Sequence, residues 1–299
     1  MKILRKKTMS ITAAMVKELR ERTGSGMMEC KKALVEANGD METAIENMRK
    51  AGLAKADKKS DRTAAEGVIG VQISDDAKKA VMVDVNCETD FVAKGDDFVN
   101  FVNDIANTLL NNDVADNEQL LAMTLSNGSS VDETRRGLIA KLGENITVRR
   151  FVKYDAQGGT ACYLHGNKIG VIVELAKPDP ELGKDLAMHV AASNPAYLNE
   201  DQVEPAAIEK EKEIFSAQAL ESGKPAEIVE KMISGRIKKF LGEITLVGQP
   251  FIKDDKMSVG QLLKSKDNSV IRFTRFEVGE GIEKKEENFA EEVMAQVRG

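Results

Sequence analysis

The chain has 299 residues, long enough to bury a substantial core and to divide into two or three domains. A net charge of -6, no Trp and interleaved charges of both signs argue against direct nucleic-acid binding, which needs a basic face for phosphates. No apolar run approaches the roughly 20 residues that span a bilayer, and the cysteines, Cys30, Cys87 and Cys162, are odd in number and lack CxxC spacing.

A reducing cytoplasm, with no membrane contact, disulfide framework or zinc site, is therefore expected. In chain order, residues 1–8 carry Lys2, Arg5, Lys6 and Lys7 ahead of Met9 and read as a disordered extension, with Met9 the candidate initiator. From Thr12 the period is helical. Met15, Val16 and Leu19 form one stripe, Gly24-Ser25-Gly26 breaks it, and Met27 to Asn38 forms a second helix ending at Gly39. Asp40 is expected to cap a third helix with Met41, Ala44, Ile45 and Met48 inward, ended by Gly52. Residues 9–52 thus predict a three-helix bundle of the ubiquitin-associated kind. Residues 53–66 read as a linker, within a partly helical stretch from Lys50 to Arg62 whose Lys55, Lys58 and Lys59 suit a solvated face.

The core begins at Gly67. Val68 to Ile73, a turn at Ser74-Asp75-Asp76 and Val81 to Cys87 predict a hairpin. In the second strand Val81, Val83, Val85 and Cys87 alternate with Met82, Asp84, Asn86 and Glu88, an apolar face opposite a mostly polar one. Thr89-Asp90-Phe91-Val92 then interrupts the pattern before a helix marked by Phe98, Phe101, Val102, Ile105 and Leu109, with Asp96 as its expected cap. A Phe in such a connection either folds inward as a lid or is offered to a partner, and spacing alone favours the lid. Helices at Asp97 to Leu110, Asn117 to Met123 and Val131 to Leu142 complete a first core subdomain, residues 67–144.

Strands at Asn145 to Tyr154, Thr160 to His165 and Lys168 to Ala176 open a second subdomain, residues 145–200 and 243–281, with Gly166-Asn167 as a two-residue turn and His165 at its tip. His189, in the Leu186 to Ala192 helix, reads as packing. Residues 201–242 predict an inserted helical hairpin: Pro205 to Leu220, a turn at Gly223-Lys224-Pro225 with Pro225 at the first position of the next helix, and a stripe of Ile208, Phe215, Ala219, Ile228, Met232, Ile237 and Leu241. Nothing local is expected to shield that stripe, which would fold on the core or pair with another chain as a coiled coil. A helix at Val259 to Leu263 and a strand at Val270 to Val278 close the core, and residues 282–299 form a C-terminal helix module with Phe289, Val293 and Val297. The fold class is α+β with antiparallel sheets in a two-part core.

Enzymatic chemistry is not visible. Two histidines, no Ser-His-Asp or Cys-His spacing, no GxxxxGK[ST] and no GxGxxG leave no catalytic residue, metal site or cofactor to name. Cys87 shares its strand face with three valines, where a thiol stays protonated and inert.

Two stretches, Leu19 to Leu34 (LRERTGSGMMECKKAL) and Val85 to Lys94 (VNCETDFVAK), resemble the two signatures of the elongation factor Ts family, in the expected order. Asp84 stands where the family pattern leads one to expect Glu. The resemblance runs from Ser10 to about Val297 and implies a guanine-nucleotide exchange factor that binds elongation factor Tu, GDP-bound and nucleotide-free, and promotes GDP release by disturbing its magnesium site in translation elongation. By the same carry-over, Thr89, Asp90, Phe91 and Val92 form the exchange loop, with Phe91 as wedge and Asp90 displacing groups that hold the ion. Lys17, Arg20, Met27, Met28 and Lys31 would dock residues 9–52 on the partner, the alternative for the two methionines being core packing. His165 would touch the partner, the alternative being an inert turn residue. The hairpin would mediate self-association or further partner contacts, and the terminal helix would also reach elongation factor Tu. Two other classes stay open: a ubiquitin-associated-type adapter, suggested by the bundle alone, and a thiol-dependent enzyme, which requires a reactive Cys87.

Overall fold

The computed structural model describes residues 11–220 and 225–283; the basic extension, the Gly223-Lys224 turn and the Phe289 to Val297 helix lie outside them. In chain order the elements are α1 (Ala13–Thr23), α2 (Met27–Glu36), α3 (Met41–Asp57), β1 (Glu66–Ile73), β2 (Lys79–Cys87), α4 (Asp90–Lys94), α5 (Asp96–Asn111), α6 (Asn117–Ala122), α7 (Val131–Leu142), β3 (Ile146–Asp155), β4 (Gly159–His165), β5 (Ile169–Leu175), α8 (Pro180–Ser193), a short 3-10 turn, α9 (Pro205–Leu220), α10 (Ala226–Ile244), β6 (Pro250–Phe251), β7 (Asp254–Ser258), α11 (Val259–Ser265) and β8 (Val270–Glu277).

The first three helices close around Leu19, Cys30, Leu34 and Ala44. Thr12 and Asp40 accept the first free N–H groups of α1 and α3 through their side chains. Gly52 does not end α3, which runs five residues further to Asp57. A Cβ built on Gly52 would lie 3.2 Å from that of Ala140 in α7, so the missing side chain lets the two helices approach. Packing overrides the helix-breaking tendency of glycine, worth about 1 kcal/mol. Arg49 pairs with Glu133 and Asp57 with Arg136 across the same contact.

The core is two three-stranded antiparallel sheets, ordered β1-β2-β3 and β4-β5-β8, with β6 and β7 as a separate ribbon. On the outer face of the first sheet, Val81, Val83, Val85 and Cys87 pack with Phe98, Phe101, Val102, Ile105 and Leu109 of α5 and Ile139 of α7. On the outer face of the second, Val171, Val173 and Leu175 meet Leu182, Leu186 and Val190 of α8. Ile69, Ala80, Met82, Tyr154, Ile172 and Phe276 fill the space between the sheets. Burying each of the Val, Leu, Ile, Phe and Met side chains among these stabilises by about 1.5 to 3 kcal/mol.

This middle layer corrects the half-exposed reading of β2, which is buried on both faces from Ala80 to Cys87. The sheets meet closely: a Cβ on Gly170 would sit 2.5 Å from Ile69 Cγ2 and 2.6 Å from Met82 Sδ. Even Asp84 and Asn86 are enclosed. Asp84 Oδ2 accepts from Arg150 Nε at 3.0 Å, with Arg149 3.7 Å away. Burial pushes the Asp84 carboxyl up, and the two guanidinium groups oppose that.

α9 and α10 form the predicted hairpin, with Pro225 as the N-cap of α10 rather than its first residue. Ile208, Phe215, Met232 and Ile237 are half-buried and Ala219 and Val229 buried, with Arg236 stacked 5.5 Å from the Phe215 ring. The hairpin therefore gives its stripe partial cover of its own, contrary to expectation, while Ile214 and Ile228 stay exposed. It rejoins the core where Leu246 donates to Tyr197 O at 2.8 Å. His189 does more than pack. Gln249 spends its amide N–H groups on Glu243 O and Ser193 O, so its oxygen accepts from His189 Nε2 at 2.9 Å, while Nδ1 accepts from Ile252 N at 3.2 Å. That arrangement requires a neutral ring, and burial lowers the His189 pKa accordingly.

Candidate functional site

β2 ends at Cys87 and Thr89 becomes the N-cap of α4, its hydroxyl accepting from Val92 N at 3.4 Å. The short helix turns Ala93 and Val92 toward the first core and leaves Phe91 on the other side, 84% exposed. Phe91 is no lid. Asp96, expected to cap α5, is instead its first residue after the N-cap Gly95, where its charge still favours the positive end of the helix.

The loop is tied down from both sides. Glu144, just ahead of β3, accepts from Glu88 N at 3.2 Å, Thr89 N at 3.0 Å and the Thr89 hydroxyl at 2.5 Å. Glu88 in turn accepts from Asn145 N at 2.6 Å and sits 3.5 Å from Arg62, and the Asn145 amide donates to Ser60 O and Arg62 O. Sequence reasoning missed Glu144. It stands 55 residues from Thr89, and no local pattern announces the pairing.

Lys94 donates to Asp90 at 2.6 Å and holds that exposed carboxyl below its usual range, and Asp90 raises Lys94 in return. Exposed pairs of this kind exchange readily for other partners. The β4–β5 turn lies near: Lys168 pairs with Glu66 at 2.7 Å, and its charge also lowers Asp90. His165, exposed on that turn, has Nδ1 3.1 Å from the Tyr163 hydroxyl. Cys87 donates to Thr89 O at 3.2 Å, and burial, aided by the Glu144 charge, pushes its thiol up to about 12. Such a thiol is not a nucleophile at neutral pH.

The second set belongs to the bundle. Lys17, Arg20 and Lys31 are exposed on α1 and α2, as are Met27 at 55% and Met28 at 76%, so neither methionine serves the core. Thr89 to Val92 are contiguous and share a neighbourhood with the β4–β5 turn, whereas the bundle set reaches the core through α3 on α7. Among the described residues, no group of three or more His, Cys, Asp and Glu is placed to hold a metal ion, and no helix is long and apolar enough to cross a membrane.

A family model described as Elongation factor TS matches residues 88–280, a span that opens on this loop. The chain belongs to the elongation factor Ts family. It is 66% identical over 291 residues to Elongation factor Ts of Methylococcus capsulatus, covering 97% of this chain and 99% of the relative. Elongation factor Ts of Thioalkalivibrio sulfidiphilus is 63% identical, with 97% and 100% covered, and that of Legionella pneumophila (strain Paris) is 57% identical, with 97% and 99% covered. Membership of the elongation factor Ts family makes the chain a nucleotide exchange factor of translation elongation, with elongation factor Tu as the partner the family implies.

Proposed function

We propose that the chain releases GDP from elongation factor Tu by inserting Phe91 beside the magnesium site of the partner, while Asp90 leaves Lys94 to compete for groups that hold the ion. The observation that supports this most is a large aromatic, 84% exposed, on a loop whose neighbours are pinned by Glu144. A single exposed apolar side chain is ordinary on its own, so what supports the reading is its rigid mount within the family signature. The physics is linkage. Magnesium bridges phosphate and protein oxygens in a demanding octahedron, and a partner that binds the nucleotide-free form better must weaken GDP by the same factor. No covalent step by the chain itself is involved, so it is a binder rather than an enzyme.

Lys17, Arg20, Met27, Met28 and Lys31 supply docking, with His165 a further contact. In the proposed division residues 9–52 dock, 53–66 link by way of the last residues of α3, 67–144 carry the exchange loop, 145–200 with 243–281 form the second subdomain, and 201–242 form a hairpin suited to self-association. The acidic balance speaks for no direct nucleic-acid contact, and the cytoplasm is the proposed place of action. The test is the magnesium dependence of stimulated GDP release. Raising free Mg²⁺ should slow release at fixed concentrations of this chain and elongation factor Tu·GDP; a rate indifferent to Mg²⁺ would refute displacement of the ion.

A further inference from the structure

Glu144 belongs to neither set of proposed partner contacts, yet it carries the bonds that decide how the exchange loop is held. Its Oε2 accepts two successive backbone N–H groups, from Glu88 at 3.2 Å and Thr89 at 3.0 Å, and its Oε1 takes the Thr89 hydroxyl at 2.5 Å. A threonine hydroxyl has one proton and two lone pairs. With the proton committed to Glu144, a lone pair remains for Val92 N at 3.4 Å, which is the cap bond that opens α4. Val92 and Ala93 then pack on the core, and Phe91 is left facing outward.

The carboxylate is itself held in place. The carbonyl of Gly143, the residue before it, accepts from Lys59 Nζ. Asn145, the residue after it, donates its N–H to Glu88 at 2.6 Å and its amide to Ser60 O at 3.2 Å and Arg62 O at 2.8 Å. Glu144 thus acts from a fixed corner, and its hydrogen bonds to the loop are charge-assisted.

We propose that Glu144 is a positioning residue for nucleotide exchange: through Thr89 it sets the start of α4 and so presents Phe91 in one orientation to the partner. This rests on the reading of Phe91 as the exchange wedge. Misplacing a reacting group by about 1 Å can cost on the order of 100-fold in rate.

The test measures release of labelled GDP from elongation factor Tu over a range of factor concentrations, for the wild type, Glu144→Ala, Glu144→Gln, Thr89→Val, Phe91→Ala and the Glu144→Ala/Phe91→Ala double variant. Glu144→Ala should lower the maximal release rate by at least about tenfold and move the half-saturating concentration by less than about threefold. Glu144→Gln should recover most of the rate, because its oxygen still accepts both N–H groups and its NH₂ can donate to the Thr89 oxygen. Thr89→Val should lose as much as Glu144→Ala, and it carries the test if Glu144→Ala melts below the assay temperature. The double variant should be no slower than Phe91→Ala alone, since Glu144 works through that ring. Wild-type rates for Glu144→Ala and Thr89→Val beside a slow Phe91→Ala, or losses that multiply in the double variant, would overturn the positioning role and leave the wedge standing. A wild-type rate for Phe91→Ala would remove the wedge and this role together.

Discussion

Phe91 is a large apolar side chain held 84% exposed on a five-residue helix. Its place after a strand was legible, but its exposure was not: α4 is five residues long, too short for a helical period to show which side faces the core. The family signature implied a partner-facing ring where spacing pointed to a lid, and the ring is exposed. Because Asp90 is exposed and bonded only along its own helix turn, Asp90→Asn should leave the melting temperature unchanged and slow GDP release less than Phe91→Ala does, since shape is kept and only charge is lost. A greater loss for Asp90→Asn would place the chemistry on the carboxylate. The strand parity of Cys87 was legible, since it packs with Val81, Val83 and Val85, and a thiol pushed up to about 12 should stay unmodified by iodoacetamide in the native protein at pH 7. Alkylation of Cys87 before unfolding, read by peptide mass, would reopen the thiol-enzyme reading.

At the scale of elements, strongly periodic segments such as α5 and α7 were found in the sequence almost to the residue, because their apolar faces meet one core. Gly52 misled because its role is close approach to Ala140, a contact about 90 residues away that no local rule contains. His189 was legible as buried but not as a joint between α8, the base of α10 and β6. Its folded pKa lies below the ordinary value near 6.5, so its contribution to stability is present above that value and is lost as pH falls from there through the folded pKa. Thermal melts from pH 7.5 to 5 should therefore decline, and His189→Gln should start lower and decline less; parallel curves would show that His189 does not titrate on unfolding. Ala219 and Val229 lie outside the core clusters, so replacing Pro205 to Leu241 by a Gly/Ser linker should leave a folded core that still stimulates release. Loss of cooperative melting in that deletion would make the hairpin part of the core. Docking by the bundle is better tested by substitution than by truncation at Arg62, which would also remove the Ser60 and Arg62 carbonyls that hold Asn145. Met27→Ala with Met28→Ala should weaken binding to elongation factor Tu by about tenfold, more than most interface residues cost when truncated, with an unchanged melt. Unchanged affinity would remove the docking role.

For the whole molecule, the sequence disclosed two antiparallel units of strands and helices but not how they face each other. The middle layer of Ile69, Met82, Tyr154, Ile172 and Phe276 draws on residues from both sheets, and alternation within one strand cannot reveal a second sheet lying across it. That layer makes β2 a doubly buried strand, so the loop at its end is mounted on a strand packed on both faces. In the proposed role the core presents Phe91 to the partner without using it for stability. The direct measurement pairs a thermal melt of Phe91→Ala with its stimulation of labelled GDP release from elongation factor Tu. Stability should change by no more than about 0.5 kcal/mol, as for an exposed side chain, and release should slow about tenfold for each 1.4 kcal/mol the ring contributes to the exchange step. A fall of about 3 to 5 kcal/mol, as for a buried Phe, with a normal release rate in the folded variant would contradict it.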